Sequence, residues 1–599
     1  MTAQRIRTVL ILASLALLAP VAQAATVTYD VAEGVTSNQP SVLTGSDILN
    51  KTGLGTLVIN AANSYTNDTI IGASLKHGGA LRVDAGAGGS LNPLSDLVFT
   101  DLNIKPYKQL NGIFIYDNTT ATGPTSQTFL SLNNERGHGE NTVQITRTAE
   151  QDVTLRFNAF TSATYGAVVI NFAVVGTGVV NGTNAKIILD DQPAGTKIIK
   201  GNTYFNGGDF AYYDAAGFIR GINYSGDPDS ATSAGGAAFA ATDNQEITGS
   251  ITAQGAVTLG VNTGGLHNAT LKIVGASDLT MLPSCKLTLD APASSGSFGI
   301  LKTGGGKSTI SGGAGSELDA ASGNLQPFRV DGPTDVLEIA IPLIFLTGNT
   351  SARTVKSGAG KLIISKDLLL SNSGGRNELW IHGGVFEIGG SARFRAVTDN
   401  SVLGDLPNVN IAKGALLRYN SVNTLSTVEG WIGGDGDLEV AAGKLTVTGG
   451  GASKPSIYTG LTTISGGTLA LSLAGAITNS ASIQICVGGS FDVTGISSGT
   501  YAMPAAPMFI FDFDPTGGGS AGVLDATGKT LDISAGKVTL NVPVALDDPV
   551  YVLAKYTSLA GAEFASLTGL PGGSSIDYAY EGNKIALMVA KKGTILLLK

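Results

Sequence analysis

The sequence predicts an all-β protein, a right-handed parallel β-helix whose short strands coil into stacked rungs with loop excursions. Three observations lead there. Glycine supplies 82 of 599 residues, close to twice the average share, which suits a chain that turns often. Between the turns lie short alternating runs of Thr, Val, Ile and Leu, with the period and composition of strands. Similar phrases return along the chain, so units too small to be stable alone must stack and share one core. Hydrophobic residues make up 43% of the chain, too many for the other glycine-rich state, a disordered polymer.

Residues 1–24 read as a secretory leader: Arg5 and Arg7, an apolar run from Val9 to Leu18, then Ala22-Gln23-Ala24 as the cleavage site. The mature chain is expected to begin at Ala25. The leader's apolar run is short for a span of about 20 residues. The nearest later candidate, Ile339 to Leu346, is broken by Pro342, so no transmembrane span is expected in the mature chain. Without Arg5 and Arg7 the net charge of −9 becomes −11, which argues against nucleic acid as a partner. Cys285 and Cys486 lie too far apart in sequence to meet across a stack and are expected as small hydrophobes.

Residues 25–100 are expected to hold an N-terminal cap and the first rungs. The clearest unit runs Lys51-Thr52-Gly53-Leu54-Gly55-Thr56-Leu57, then Ser64-Tyr65-Thr66, then Gly78-Gly79-Ala80-Leu81. Residues 101–260 read as an irregular β-helix region with large loops. There Gly207 to Ala241, rich in Asp, Tyr, Ser and Gly, reads as an excursion where a ligand is to be sought first. Residues 261–545 carry the repeats again. Lys302-Thr303-Gly304-Gly305-Gly306 and Lys356-Ser357-Gly358-Ala359-Gly360 restate the opening; Gly383-Gly384-Val385-Phe386 and Gly466-Gly467-Thr468-Leu469 restate the closing. Residues 546–599 are expected to cap the C-terminal end. At about 20 to 25 residues a rung, a single stack would have roughly 20 to 25 rungs at about 4.8 Å, a rod on the order of 100 Å long.

On these residues the chain resembles the autotransporter-associated β-strand repeat proteins of bacterial surfaces. The likeness lies in Lys51 to Val83, Lys302 to Ser311, Lys356 to Ser365 and Tyr458 to Leu471. Asp209 to Arg220 and the tail Leu567 to Gly573 also resemble large members of that group. The resemblance implies a passenger-type parallel β-helix, exported to the medium or the outer membrane exterior and usually without known enzymatic activity. A translocating member carries a barrel of at least eight strands of about 9 to 11 residues. The last stretch offers Tyr551 to Lys555, Ile576 to Tyr580, Lys584 to Val589 and Thr594 to Leu598, too few to close one, so the export route stays open. The expected role is structural or adhesive, with extracellular polysaccharide or cell-surface components as partners; self-association of rods stays open too.

The alternative is a polysaccharide lyase or hydrolase on the same scaffold, which needs converging carboxylates. Asp512 and Asp514, at i and i+2 on a strand, share a face and are the one acidic pair with suitable geometry. Asp190-Asp191, Asp227 with Asp229, and Asp547-Asp548 read as turn or edge residues. Gly433-Gly434-Asp435-Gly436-Asp437 has a passing likeness to a calcium-binding repeat, but that chemistry needs tandem copies. His77, His138, His267 and His382 form no metal-ligand spacing; His77 and His382 both precede Gly-Gly and read as corner residues. Gly306-Lys307-Ser308 lacks the glycine spacing of a phosphate loop. Asn60, Asn63, Asn479 and Ser480 read as side-chain ladders that hold register. No catalytic residue, metal or cofactor is assigned.

Overall fold

The computed structural model describes residues 24–589 apart from 73–75, 100–110, 135–138, 149–150, 163–166, 193–197, 237–243, 260–268, 290–297, 321–324, 346–350, 371–375, 397–407, 450–455, 515–519 and 543–545. The expected leader, apart from Ala24, lies outside the described residues, as do His138, His267 and the expected strand Thr594 to Leu598. The described chain forms 55 strands and no helix.

Nearly every strand pairs in parallel with one a coil away, giving a parallel β-helix. Alternation in the sequence becomes alternation across the wall. In the longest sheet Leu337, Leu362, Phe386, Leu417 and Leu438 stand above one another in register, and the column continues through Thr462, Ile483, Phe509, Val538 and Leu567. This interior column is apolar at every rung but one. The Gly-Gly closings mark corners where adjacent rungs touch backbone to backbone. Gly79 (φ 56°) and Gly384 (φ 61°) are left-handed, and a Cβ there would lie 2.3 Å from the Gly53 carbonyl oxygen and 2.2 Å from that of Gly360, respectively. Only glycine meets both demands.

The rungs do not form one continuous stack. The first stack runs from Thr26–Asp30 to Thr203–Phe205, with walls formed by a six-stranded sheet, a nine-stranded sheet and a three-stranded sheet. Two antiparallel pairings, Thr203–Phe205 with Asp209–Tyr213 and the latter with Ile219–Gly221, close it. The chain then turns round, and a second stack begins at Ser230–Ser233. Its walls are a nine-stranded sheet, a thirteen-stranded sheet and a third side shared by four- and eleven-stranded sheets. Each stack has its own core, and a third, smaller core lies between them. The expected rod is corrected accordingly: the thirteen-stranded sheet spans about 60 Å at a strand spacing of about 4.8 Å, with the first stack folded back alongside.

The stacks run in opposite directions. Asp209, at the end of the first, pairs with Lys272 near the start of the second. Further along, Glu140 pairs with Arg329, and Glu33, at the start of the first stack, pairs with Lys413. The two nine-stranded sheets face each other along this seam. Strands such as Val168–Gly176 and Leu325–Val330 are buried on both faces over most of their length; the first is apolar at nearly every position without alternation, and the second buries Gln326 and Arg329 as well. The second stack's seam sheet ends at Ile432–Gly434, about where the first stack stops covering it.

Candidate functional site

The repeat lysines explain the Lys-x-Gly-x-Gly openings. Lys51 is fully buried, and its Nζ donates to the carbonyls of Thr52 (2.8 Å), Gly53 (2.8 Å) and Gly78 (3.0 Å). Lys356 repeats this with Ser357 (2.9 Å), Gly358 (2.7 Å) and Gly383 (2.8 Å). Each ammonium gathers two carbonyls from its own corner and one from the Gly-Gly of the next rung. Lys302 keeps the first half, bonding Thr303 and Gly305, and replaces the rest with the buried Asp335 carboxylate at 2.9 Å. Burial lowers the Lys51 ammonium to about 8 and that of Lys356 to about 7.

A second repeat element is a buried hydroxyl chain. Tyr65 meets Thr69 at 2.6 Å, Thr69 meets Ser95 at 2.9 Å, and Ser95 donates to the Asn67 carbonyl. Tyr458, Thr462 and Ser480 form the same chain, ending on the Gly460 carbonyl. These hydroxyls occupy interior positions, Thr462 among them, and satisfy one another where water does not reach.

The densest group of charges lies in the seam. Glu140 binds Arg329 through Oε1 at 2.5 Å and accepts the Gly358 N–H through Oε2 at 3.1 Å. Arg329 also donates to Asp331 and to the Gly207 carbonyl and stacks over the Tyr204 ring at 4.9 Å. Burial pushes the Glu140 carboxyl up, but Arg329 and the Gly358 N–H outweigh it and hold the group at about 2. His382 Nε2 contacts the Ala167 carbonyl oxygen at 2.6 Å, and burial lowers its imidazole to about 4. Neutral His382 therefore donates through Nε2. Around them Val169, Tyr204, Phe210, Leu301, Val355 and Trp380 form the seam's apolar core. The cluster is closed by both stacks, and its chemistry is that of a latch. Sequence reasoning did not single out Glu140, Arg329, Asp331 or Trp380; their partners lie up to 218 residues away. The one available signal was the unbroken apolar run around Val168.

The residues that sequence reasoning did single out are placed as follows. Asp512 accepts Gln484 at 2.8 Å and Asn541 at 2.8 Å, from the rungs on either side, so its carboxylate is a ladder member; the backbone N–H of Asp514 bonds Ser520. Asp190 pairs with Arg156, Asp191 accepts the Phe160 N–H, and Asp227 takes a two-pronged bond from Arg220. The Tyr551 hydroxyl accepts the Asp548 N–H. Asp435 bonds Thr459 and His77, and Asp437 accepts the Leu461 N–H, so this corner ties rung to rung and stack to stack. Lys307 pairs with Glu338 at 2.6 Å. His77 and His382 do sit at matching corners, and both also reach across the seam. Asn63 exchanges amide bonds with Gln39 on the neighbouring rung, and Ser480 belongs to the hydroxyl chain. The described part of Gly207 to Ala241 is no projecting loop at its start: Phe210, Tyr212 and Tyr224 are buried in the seam core. Cys285 and Cys486 are free thiols. Among the described residues no group of three or more His, Cys, Asp or Glu could hold a metal ion.

Comparison with protein families finds the passenger-associated-transport-repeat at residues 49–73 and 442–471. Comparison with curated proteins finds no match. Both matched segments contain the tyrosine of a buried hydroxyl chain and the threonine that it meets, and the first also contains a caged lysine. With these repeats wound into a β-solenoid, the chain fits an autotransporter passenger-type repeat protein.

Proposed function

We propose that the protein is an exported, non-catalytic surface element that serves as a scaffold and holds extracellular polysaccharide along the outer face of its thirteen-stranded sheet. The observation that carries this reading is one outward row on that face. Glu387, Arg418, Glu439, Thr463 and Gln484 follow one another in register, strand after strand, and each is only partly buried apart from Glu387. Arg418 pairs with Glu439 at 3.2 Å and Gln484 donates to Asp512; the donors and acceptors that these contacts leave over recur at about 4.8 Å intervals along the stack, which suits an extended polar polymer. On earlier rungs a groove of about 420 Å³ is lined by Gly312, Gly313, Gly315 and Lys366. The carboxylates of Asp512, Asp190, Asp191 and Asp227 are engaged in contacts within the wall and its turns, which supports a non-catalytic role.

The test incubates the mature chain with acidic and neutral polysaccharides, with and without calcium, and reads retention and chain cleavage in the same samples. The expected result is retention without cleavage, weakened by Arg418→Ala with Gln484→Ala. Cleavage that co-purifies with the protein would overturn the non-catalytic reading. Retention of nothing in the panel would overturn the polysaccharide.

A further inference from the structure

The fold-back leaves a notch. The first stack begins about where the second stack's seam sheet ends, so the later rungs of the second stack, with strands from Thr462–Ile464 to Ser566–Thr568 in the long sheet, overhang with no partner alongside among the described residues. The notch has two sides. Its floor is the end of the first stack, where among the described residues Thr26–Asp30 and Thr36–Asn38 are the terminal strands of their sheets. Ile48 N–H donates to the Ala25 carbonyl and Val31 N–H to that of Thr52. By alternation, Thr26, Thr28 and Asp30 turn their own N–H and C=O groups away from the sheet. Such an edge is a template for another strand.

The wall of the notch is the overhang's continuation of the seam face. Leu461 is 48% exposed one corner beyond the Asp435 contact, and Leu473 is 62% exposed on the opposite edge of that face. Leu473 also has a left-handed backbone (φ 54°), a conformation a leucine adopts only at a cost. It borders a mainly apolar cleft of about 230 Å³ lined with Leu471, Ile477, Ile496, Tyr501 and Pro504. On the floor, Val35 and Val42 are each 48% exposed. Two exposed leucines thus flank the wall and two exposed valines lie on the floor, next to a seam that is already an interface.

We propose that a second copy of this chain fills the notch, and that the two copies form a closed, two-fold dimer. The occupant follows from direction and length. What extends the first stack must run antiparallel to the overhang, as the first stack does. The overhang of another copy, placed end-on to the first stack, runs that way, and its described rungs equal in number those that wall the notch. The relation is reciprocal, so each overhang fills the other copy's notch and the apolar flanks meet across the axis; an isologous contact of this kind closes at two. It also brings Ser575–Tyr580, the terminal strand of the eleven-stranded sheet, towards the open Thr26–Asp30 edge of the partner.

Sedimentation velocity of the mature chain at micromolar concentration tests this. The expected mass is twice that of one chain. Leu473→Asp, Leu461→Asp and, separately, the edge substitution Thr36→Pro should each raise the dissociation constant at least about tenfold, with the strand signal in circular dichroism unchanged. Leu369→Asp, at an exposed leucine on another wall, should leave the dimer intact and controls for added charge. A one-chain mass for the unaltered protein overturns the proposal. So does a dimer indifferent to all three notch variants, or an open-ended series of larger species.

Discussion

A lysine buried among carbonyls is costly to create and costly to remove. Lys356 gives up hydration, and burial lowers its ammonium to about 7, yet three carbonyls at 2.7 to 2.9 Å replace that hydration. Lys356→Met should destabilise the protein by about 2–4 kcal/mol, because those carbonyls lose their donor inside the wall. Lys366→Met, on the exposed rim of the groove, should be neutral in the same denaturation experiment. The seam adds a dependence on acid. The folded state holds His382 at about 4 against an ordinary 6.5; the unfolded chain therefore binds more protons between those values, and stability falls as pH drops through them. Glu140 sits at about 2 against 4.5, so its contribution is present above pH 4.5 and is lost as pH falls towards 2. Denaturation measured from pH 7 downwards should show a loss beginning near pH 6.5, by at most about 3 kcal/mol from His382 at pH 4, and steepening below 4.5. In His382→Gln the upper part of that loss should vanish and the lower part remain.

At the scale of the rung, the corners carry the specificity. Gly384→Ala should cost more than about 2 kcal/mol, since a left-handed φ and a Cβ 2.2 Å from the Gly360 oxygen both oppose it. Gly414 is a useful contrast: its φ is 78° but nothing lies within 4 Å of where a Cβ would stand, so Gly414→Ala should cost only the backbone term, about 1 kcal/mol. Melting curves of the pair separate close stacking from turn conformation. Tyr458→Phe should cost about 1 kcal/mol, because Thr462 keeps its bond to Ser480. These corners were legible in the sequence: Gly-Gly pairs, Lys-x-Gly-x-Gly and Tyr-Thr recur at steady positions, and the strands lie between them with the expected period. What the motifs do was less legible. Nothing in the spacing of Lys51 and Gly78 shows that the side chain of one donates to the backbone of the other a rung away. Asp512 and Asp514 read in the sequence as sharing a strand, but the strand Met508–Asp512 ends before Asp514, and the amide partners of Asp512, Gln484 and Asn541, become neighbours only once the register is set.

At the scale of the molecule, local patterns leave the fold-back invisible. Rungs contact their neighbours in a solenoid, and local repeats report those contacts alone; the seam joins residues such as Glu140 and Gly358, 218 apart, and its one local trace in the sequence is the largely apolar strand Val168–Gly176. Its energetic consequence is testable. Each stack has a separate core, so cooperativity between them must pass through the seam, where Trp380 is fully buried and its Nε1–H donates to Glu378 at 2.8 Å. Trp380→Ala removes the largest side chain of that contact and should cost about 3–5 kcal/mol. Since neither stack's interior is touched, the loss falls on the coupling. Calorimetry of the unaltered chain should show one dominant transition, whereas Trp380→Ala should divide it, with the shorter first stack melting at the lower temperature. Hydrogen exchange read over residues 112–205 should then quicken while exchange in the interior column from Leu337 to Phe509 does not. A single transition, merely shifted down, would mean that the turnaround strands at Asp209–Tyr213 and Ile219–Gly221 suffice to keep the two stacks one folding unit.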